Sequence, residues 1–137
     1  MGLPGARFVE PTGLSEQNVA TAQACAAILR TAAGNPVVGA IMQKQTYTFT
    51  SNRKLHRLVN TNRLLRSKWR VTGGKTGFIS ESGYCLATLV EAPSGTEVMA
   101  VLLGAPSNRL RFAEARRLLD WTFRFGLIPD QPARGSD

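Results

Sequence analysis

Acidic residues are absent from the middle of this 137-residue sequence: no Asp or Glu occurs between residues 17 and 80. The same stretch is rich in Lys and Arg, and the whole chain has a formal net charge of +8 at pH 7. Such one-sided charge favours an anionic partner. Nucleic acid is one candidate, because clustered Lys and Arg are its electrostatic footprint. Aromatic residues are few there, however, and no nucleic-acid recognition motif accompanies the charge.

Cysteine and histidine are also scarce, with two Cys and one His in the chain. Cys25 lies in an alanine-rich stretch typical of a helix and Cys85 in an apolar stretch typical of a strand, so both are expected to be small buried hydrophobes. The sequence leaves open whether they form a disulfide. These residues and His56 lack the spacing of a metal site, so no metal and no cofactor is predicted. His56 is expected at the surface or in a loop, and a Ser-His-Asp triad has no support.

Long hydrophobic runs are missing as well. No stretch of roughly 18 apolar residues occurs, so no transmembrane helix is predicted. The first residues also lack the charged-then-apolar pattern of a signal peptide. The length and the 43% content of hydrophobic residues are those of one ordinary globular domain.

The most informative feature that is present is the triplet Lys75-Thr76-Gly77, preceded by Gly73 and Gly74. The lysine supplies positive charge, the threonine hydroxyl can donate to a substrate carboxylate or carbonyl, and the glycine lets a substrate backbone approach closely. A nucleotide-binding P-loop would need a glycine at position 69, where the sequence has Trp. The alternative interpretation is that the glycines form a loop around a solvated lysine.

Five further segments surround this triplet. They are F-V-E-P-T-G-L at 8–14, N-V-A-T-A at 18–22, N-T-N at 60–62, G-Y-C-L at 83–86 and L-L-D-W-T-F at 118–123. In this order they resemble the D-alanyl-D-alanine carboxypeptidase family, the low-molecular-weight penicillin-binding proteins of bacterial cell-wall maintenance. In that family K-T-G is one of three motifs of the active site. The resemblance extends over nearly the whole chain.

The resemblance implies an α+β fold, an antiparallel sheet covered by helices, which is the C-terminal part of a β-lactamase/transpeptidase-like domain. Residues 1–127 are expected to form the C-terminal half of the catalytic domain, and residues 128–137 a flexible tail. In the family, the S-x-x-K and S-x-N motifs both precede the 8–14 segment. We therefore expect a truncated or split member of the family, with the natural N-terminus before Met1.

No nucleophile is predicted in this chain. The sequence contains no S-x-N tripeptide, and its one S-x-x-K runs from Ser51 to Lys54. That motif follows the 8–14 segment instead of preceding it. A nucleophilic serine should open a helix, so that its lysine lies one turn further on the same face. The residues before Ser51 have the pattern of a strand.

The resemblance also implies roles for individual residues in a serine-type peptidase that forms an acyl-enzyme at a D-alanyl-D-alanine bond during peptidoglycan maturation and remodelling. Lys75, Thr76 and Gly77 would form one catalytic wall, with Thr76 binding the terminal carboxylate of the substrate. The backbone N–H of Phe78 would provide half of the oxyanion hole. Arg111 matches a family arginine that binds the carboxylate; the alternative is an ordinary surface arginine on a helix.

The implied partners are peptidoglycan stem peptides and β-lactams, together with the missing N-terminal half or a second copy of the chain. The implied location is periplasmic or extracytoplasmic. Carboxypeptidase and endopeptidase activity both stay open, because Thr61 stands where some family members have an arginine that contacts the carboxylate. Two other hypotheses remain: a non-catalytic module that binds wall peptides or β-lactams, and a basic nucleic-acid-binding protein.

Residue patterns predict helices at 21–33 and 108–125 and strands at 45–50, 69–77, 84–92 and 97–103. Residues 36–40 are predicted to be a short connector, 51–70 a polar connection with one helical turn near Leu64 and Leu65, and 93–96 a hairpin turn. The buried residues predicted for the last helix are Leu110, Ala113, Leu118, Leu119 and Trp121. Its arginines, including Arg111, are predicted on the polar faces.

Overall fold

The computed structural model describes residues 3–125. This part contains three α-helices, α1 (Ala22–Gly34), α2 (Pro36–Gln43) and α3 (Asn108–Arg124), and a 3-10 turn at Arg63–Arg66. Its strands are β1 (Ala6–Arg7), β2 (Val19–Ala20), β3 (Thr46–Ser51), β4 (Lys54–Val59), β5 (Arg70–Ile79), β6 (Gly83–Glu91) and β7 (Glu97–Ala105). The predicted tail at 128–137 lies outside the described residues.

The main sheet is antiparallel and has the strand order β5-β6-β7. The middle strand β6 is an apolar run in which neighbouring residues are buried on opposite faces, which is typical of a strand covered on both sides. On one face, Leu86 and Val90 pack with Phe112 of α3. On the other face, Leu89 lies near Ala33 of α1. The predicted antiparallel sheet covered by helices is therefore confirmed.

Helix α1 was predicted within one residue at each end. Thr21 begins it as N-cap, accepting a hydrogen bond from the backbone N–H of Ala24, 3.1 Å away. The connector predicted at 36–40 is wrong, because these residues belong to helix α2. Asn35 caps this helix by accepting from two backbone N–H groups, and Pro36 occupies its first position, where its missing N–H costs nothing. Pro36 thus begins a second helix as well as ending the first.

The polar connection predicted at 51–70 is wrong in its first half, where β4 pairs with β3 as a hairpin. Asn52 and Arg53 form a two-residue turn in which both φ angles are positive, at 50° and 59°. Turns of this kind usually contain glycine, and its absence hid the hairpin from the sequence. The helical turn predicted near Leu64 and Leu65 is confirmed by the 3-10 turn.

Helix α3 was predicted at the right place, but its buried face was partly wrong. Phe112, Ala115 and Leu119 form the buried stripe, with spacings of three and four residues. Leu118 and Trp121, predicted to be buried, are 40% and 50% exposed. Leu110 and Ala113 are half-buried, whereas Arg111 is buried instead of lying on a polar face. The stripe that faces the sheet is therefore rotated relative to the predicted one.

No single helix in residues 3–125 is long and apolar enough to cross a membrane. Helices α1 and α2 pass such a test only when they are taken together, and they are bent by 103° with respect to each other.

Candidate active site

The K-T-G triplet lies on β5, the strand at one edge of the main sheet. Thr76 is half-buried, whereas Lys75 and Gly77 are exposed. Within the described part of the chain, β5 pairs only with β6, so the outer edge of β5 offers unpaired backbone groups. An edge of this kind can accept an extended peptide as an additional strand.

The N-T-N segment is locked in place by its two asparagines. The side-chain amide of Asn60 donates to the carbonyls of Met42 (3.2 Å) and Lys44 (2.9 Å), while its Oδ1 accepts from the N–H of Asn62 (2.9 Å). The Oδ1 of the buried Asn62 accepts from the N–H of Leu64 at 3.1 Å. These bonds tie the segment to the end of α2 and to the 3-10 turn. The residue between them is therefore held in one position.

That residue is Thr61, and its side chain reaches the K-T-G triplet. The hydroxyl oxygens of Thr61 and Thr76 lie 2.7 Å apart, the distance of a hydroxyl–hydroxyl hydrogen bond. Two motifs separated by 15 residues in sequence are thus brought together at the edge of the sheet.

Gly74 and Gly77 differ in whether the packing of the protein requires a glycine at that position. A Cβ atom at Gly74 would lie 2.5 Å from Nδ2 of Asn62 and 3.2 Å from the carbonyl oxygen of Ala87. Gly74 thus permits the close approach of the N-T-N segment to β5. A Cβ atom at Gly77 would meet only the Cβ of Cys85, at an ordinary 3.8 Å. The protein interior does not require glycine at position 77, which leaves its outer face open to a ligand.

Arg111 of α3 reaches the same strand from inside the protein. Its guanidinium donates to the carbonyl oxygens of Gly77 and Cys85, both at 3.0 Å, and to Oδ1 of Asn108 at 2.7 Å. The guanidinium carbon also lies 5.4 Å from the centre of the Tyr84 ring. Arg111 is only 5% exposed. Its charge therefore lies behind the K-T-G strand.

Burial lowers the pKa of Arg111 from its ordinary value, and the nearby Arg63 acts in the same direction, whereas Cys85 and Tyr84 oppose the shift. The arginine remains a cation, since its ordinary pKa lies far above neutrality.

The two cysteines lie close enough in the fold for Cys85 to affect the Cys25 thiol. Burial raises the pKa of the Cys25 thiol, with a further contribution from Cys85. Both cysteines are free and half-buried, so the expected full burial is only partly reached.

The aromatic ring of Phe78 stacks on Tyr84, with 4.2 Å between the ring centres. The two residues are opposite each other in the pairing of β5 with β6. The ring of Phe78 is nevertheless 54% exposed. This stacking fixes the strand immediately after the triplet, where the backbone N–H of Phe78 is predicted to act.

Glu10 is a structural residue that the sequence analysis did not single out. Its Oε1 accepts from the N–H groups of Gly13 (2.9 Å), Leu14 (3.0 Å) and Ser15 (3.1 Å) and from the amide of Asn18. The hydroxyl and N–H of Thr12 bind its other oxygen. These donors lower the pKa of Glu10 to about 2, the hydrogen bond from Thr12 contributing most. The signal in the sequence was a carboxylate just before a Pro-Thr-Gly turn.

The S-x-x-K sequence from Ser51 to Lys54 is the tip of the β3–β4 hairpin. The two residues face each other across the turn as the last pair of the ladder. Neither opens a helix, as a nucleophilic serine with its lysine would require. Within residues 3–125, no three His, Cys, Asp or Glu residues lie close enough to hold a metal ion.

The same architecture occurs in solved structures of a carboxypeptidase and a penicillin-binding protein. A D-alanyl-D-alanine carboxypeptidase from Mycobacterium tuberculosis has a TM-score of 0.78 at 24% identity, covering 88% of this chain and 48% of that one. A cefotaxime-bound penicillin-binding protein from Listeria monocytogenes has a TM-score of 0.71 at 28% identity, covering 87% and 48%. The fold is that of the penicillin-binding proteins and transpeptidases.

Sequence comparison leads to one family. The protein-family model described as D-alanyl-D-alanine carboxypeptidase matches residues 1–107 of this chain. A D-alanyl-D-alanine endopeptidase of Escherichia coli is 33% identical over 124 residues, which are 88% of this chain and 40% of the relative. A D-alanyl-D-alanine carboxypeptidase of the same organism is 40% identical over 88 residues, which are 63% and 20%. The chain belongs to the D-alanyl-D-alanine carboxypeptidase family, and it spans 40% or less of the length of these two relatives.

Proposed function

We propose that this chain supplies the K-T-G wall of a serine-type D-alanyl-D-alanine peptidase site acting in peptidoglycan maturation and remodelling. The observation that carries the proposal is the 2.7 Å contact between Thr61 and Thr76, which joins the N-T-N and K-T-G segments beside an open strand edge. Membership of the family and its named relatives support the same chemistry.

A stem peptide binds as an extended strand along the outer edge of β5. Backbone hydrogen bonds provide affinity in this mode of recognition, and the absence of a side chain at Gly77 allows close approach. The hydroxyl of Thr76 donates to the terminal carboxylate or to the carbonyl of the substrate. Lys75 contributes positive charge on the exposed side of the strand.

The reaction proceeds through an acyl-enzyme whose serine lies outside this chain. That serine attacks the carbonyl carbon of the bond between two D-alanine residues, the leaving amine departs, and water then releases the acyl group. The backbone N–H of Phe78 stabilises the oxyanion together with the N–H of the serine. Loss of one such donor typically costs about a hundredfold to a thousandfold in kcat.

Arg111 provides its positive charge from behind the strand. Because its guanidinium is buried and donates to the carbonyl of Gly77, it positions the triplet, while its charge attracts the carboxylate bound at Thr76. Three of its five N–H donors are used in hydrogen bonds within the protein, and Nε is buried without a partner among the described residues, so the direct carboxylate contact predicted from the sequence would have to use the remaining donors.

The partner that completes the site is the remaining half of the catalytic domain, which carries the S-x-x-K and S-x-N motifs, and residues 1–127 are the complementary half. Exposed apolar side chains support this partner: Leu103 lies on β7, and Leu118 and Trp121 lie on α3. The outer edge of β7 is also unpaired within the described residues. β-Lactams and stem peptides bind to the completed site, in a periplasmic or extracytoplasmic location.

The choice between carboxypeptidase and endopeptidase depends on Thr61. A neutral hydroxyl beside Thr76 attracts a free terminal carboxylate less than an arginine would. Such a site tolerates a substrate whose chain continues, so we favour cleavage of cross-links. Both names occur among the relatives.

The test is reconstitution of the site from two polypeptides. This chain is produced together with the part of the Escherichia coli endopeptidase that precedes the matched segment, and labelled penicillin is added. We expect a covalent adduct on the Escherichia coli part only when this chain is present. A Thr76→Val variant serves as the control that loses the hydroxyl and keeps the side-chain shape.

The intact mass of this chain alone after incubation with penicillin is expected to stay unchanged. An adduct on the isolated chain that maps to Ser51 would contradict the proposed origin of the nucleophile. Binding of penicillin or a D-alanyl-D-alanine peptide without any covalent adduct in the reconstituted pair would favour the non-catalytic binding module.

A further inference from the structure

The β3–β4 hairpin contributes little to the buried core of the molecule. Of the residues in its two strands, only Phe49 and His56 are half-buried, and all the others are exposed. Its main contacts are between its own strands. Packing in the core therefore does not explain which residues the hairpin contains.

The turn and strand β4 of this hairpin carry cations that have no ion-pair partner among the described residues. Arg53, Lys54 and Arg57 form no ion pair with any carboxylate in residues 3–125, where the salt bridges are made by Lys68, Arg70 and Arg117. The absence of acidic residues between 17 and 80 leaves this charge uncompensated in the neighbouring sequence. Such a surface attracts polyanions at a distance.

Arg53 occupies a position where arginine is unfavourable. Its φ angle of 59° lies in the left-handed region, in which a side chain with a Cβ atom is strained and glycine is usual. Backbone strain that is retained at an exposed residue suggests that the residue has a functional role. Here the strained conformation places a cation at the very end of the hairpin.

An apolar side chain accompanies these cations. Leu55 is 73% exposed and lies on the same face of β4 as Arg57, two residues further along, because side chains alternate between the two faces of a strand. Exposed leucine beside unpaired cations is the pattern of a surface that meets lipid headgroups and the adjoining acyl chains. Nucleic acid offers phosphates for the cations but no apolar phase for the leucine.

We propose that the outer part of the hairpin, defined by the turn residue Arg53 and by Lys54, Leu55 and Arg57 of β4, docks on membrane surfaces that contain anionic phospholipids. The cations bind the headgroup phosphates, and Leu55 enters the boundary between headgroups and acyl chains. The hairpin continues into the N-T-N segment at the end of β4 opposite to the turn, so docking holds the K-T-G edge one strand length, about 20 Å, from the docked residues. This inference does not depend on the proposed peptidase activity.

The experiment measures binding of this chain to sedimented vesicles of phosphatidylcholine, with or without about one third phosphatidylglycerol. We expect binding only to the vesicles with phosphatidylglycerol and a marked loss at high salt. Each basic residue near such a surface contributes about fivefold in affinity. The double variant Arg53→Gly/Lys54→Ser should therefore bind about twenty-five-fold more weakly. Replacing Arg53 by glycine also relieves the turn, so the variant is expected to fold.

The matched control removes two exposed cations from α3, in the variant Arg109→Ser/Arg116→Ser. It has the same net charge as the hairpin variant and should keep most of the affinity. Leu55→Ser is expected to weaken binding to vesicles and to leave binding to duplex DNA unchanged. Absence of binding by the unmodified chain, or equal losses in the two double variants, would overturn the proposal. Duplex DNA bound more tightly than vesicles, with no effect of Leu55→Ser, would replace it by nucleic-acid binding.

Discussion

The side-chain hydroxyls of Thr61 and Thr76 form a hydrogen bond at 2.7 Å, which couples the N-T-N loop to the K-T-G strand. If Thr61 donates, the proton of Thr76 stays free for a substrate oxygen. The asparagines on both sides hold Thr61 where this bond can form. The bond therefore orients the hydroxyl on which substrate recognition is proposed to depend.

Thr61→Val should slow acylation of the reconstituted site by penicillin about threefold to tenfold, the value of one ordinary hydrogen bond. Thr61→Ser keeps the hydroxyl and should retain most of the rate. Stopped-flow measurement of acylation with both variants checks this expectation. Equal rates for Thr61→Val and the unmodified chain would show that the contact does not orient Thr76.

Gly74→Ala and Gly77→Ala should affect different properties, the first the stability of the fold and the second the binding of peptide. The new Cβ at position 74 would meet the buried Asn62, so the free energy of unfolding should fall by about 1–3 kcal/mol. The Cβ at position 77 has room, and we expect a change below about 0.5 kcal/mol with a loss of peptide binding. Urea unfolding of the two variants, with peptide titration of the second, distinguishes them. Equal destabilisation by the two alanines would contradict the packing described for Gly74.

Arg111→Met should lower the free energy of unfolding by about 1.5–3 kcal/mol, the range for a hydrogen bond to a charged group. The variant removes the donors that bind the carbonyls of Gly77 and Cys85. Arg109→Met on the same helix is the exposed control and should leave stability nearly unchanged. Thermal and urea unfolding provide the measurement. A stable Arg111→Met variant that has lost only substrate affinity would instead support the direct carboxylate contact.

Glu10 makes stability depend on pH in the acidic range. Its folded pKa of about 2 lies below the usual 4.5, so its contribution is complete above about pH 4.5 and is lost as the pH falls towards 2. The Glu10→Gln variant should therefore be less stable than the unmodified chain near pH 6, with the difference shrinking near pH 2.5. Urea unfolding at both pH values measures this, and Glu16→Gln serves as the control. A difference independent of pH would disprove the role assigned to the carboxylate.

Arg53→Gly should raise the free energy of unfolding by about 1–2 kcal/mol, because glycine adopts a positive φ without the clash of a Cβ atom. Asn52→Gly should gain less, since asparagine tolerates this region better. Chemical denaturation compares the two variants. No gain at Arg53 would mean that the turn is relaxed in solution and would remove one argument for docking by the hairpin.

The order of motifs in the sequence was sufficient to predict the family and the fold class. Helix α1 and strands β5, β6 and β7 could also be predicted, because their residues have strong local preferences and clear apolar patterns. Helix α2 and strand β4 were missed. Their signals were a proline that begins a helix and a tight turn without glycine, both of which have several local solutions.

The residues that lie behind the K-T-G strand could be identified only from the tertiary packing. Which stripe of α3 faces the sheet is decided by contacts with β6 and β7, and those contacts bury Arg111 and expose Trp121. Local periodicity allowed a neighbouring stripe, because both contain apolar residues.

Thus the sequence by itself determined the chemistry that is available at the site: a lysine, a hydroxyl, a glycine and an excess of cations. The tertiary structure alone decided which of these groups meet. Thr61 contacts Thr76, and Arg111 lies behind Gly77, because the main sheet and its covering helices bring together residues that are 15 and 34 positions apart in the chain. Contacts over such separations depend on the whole packed core, which no local pattern of residues contains.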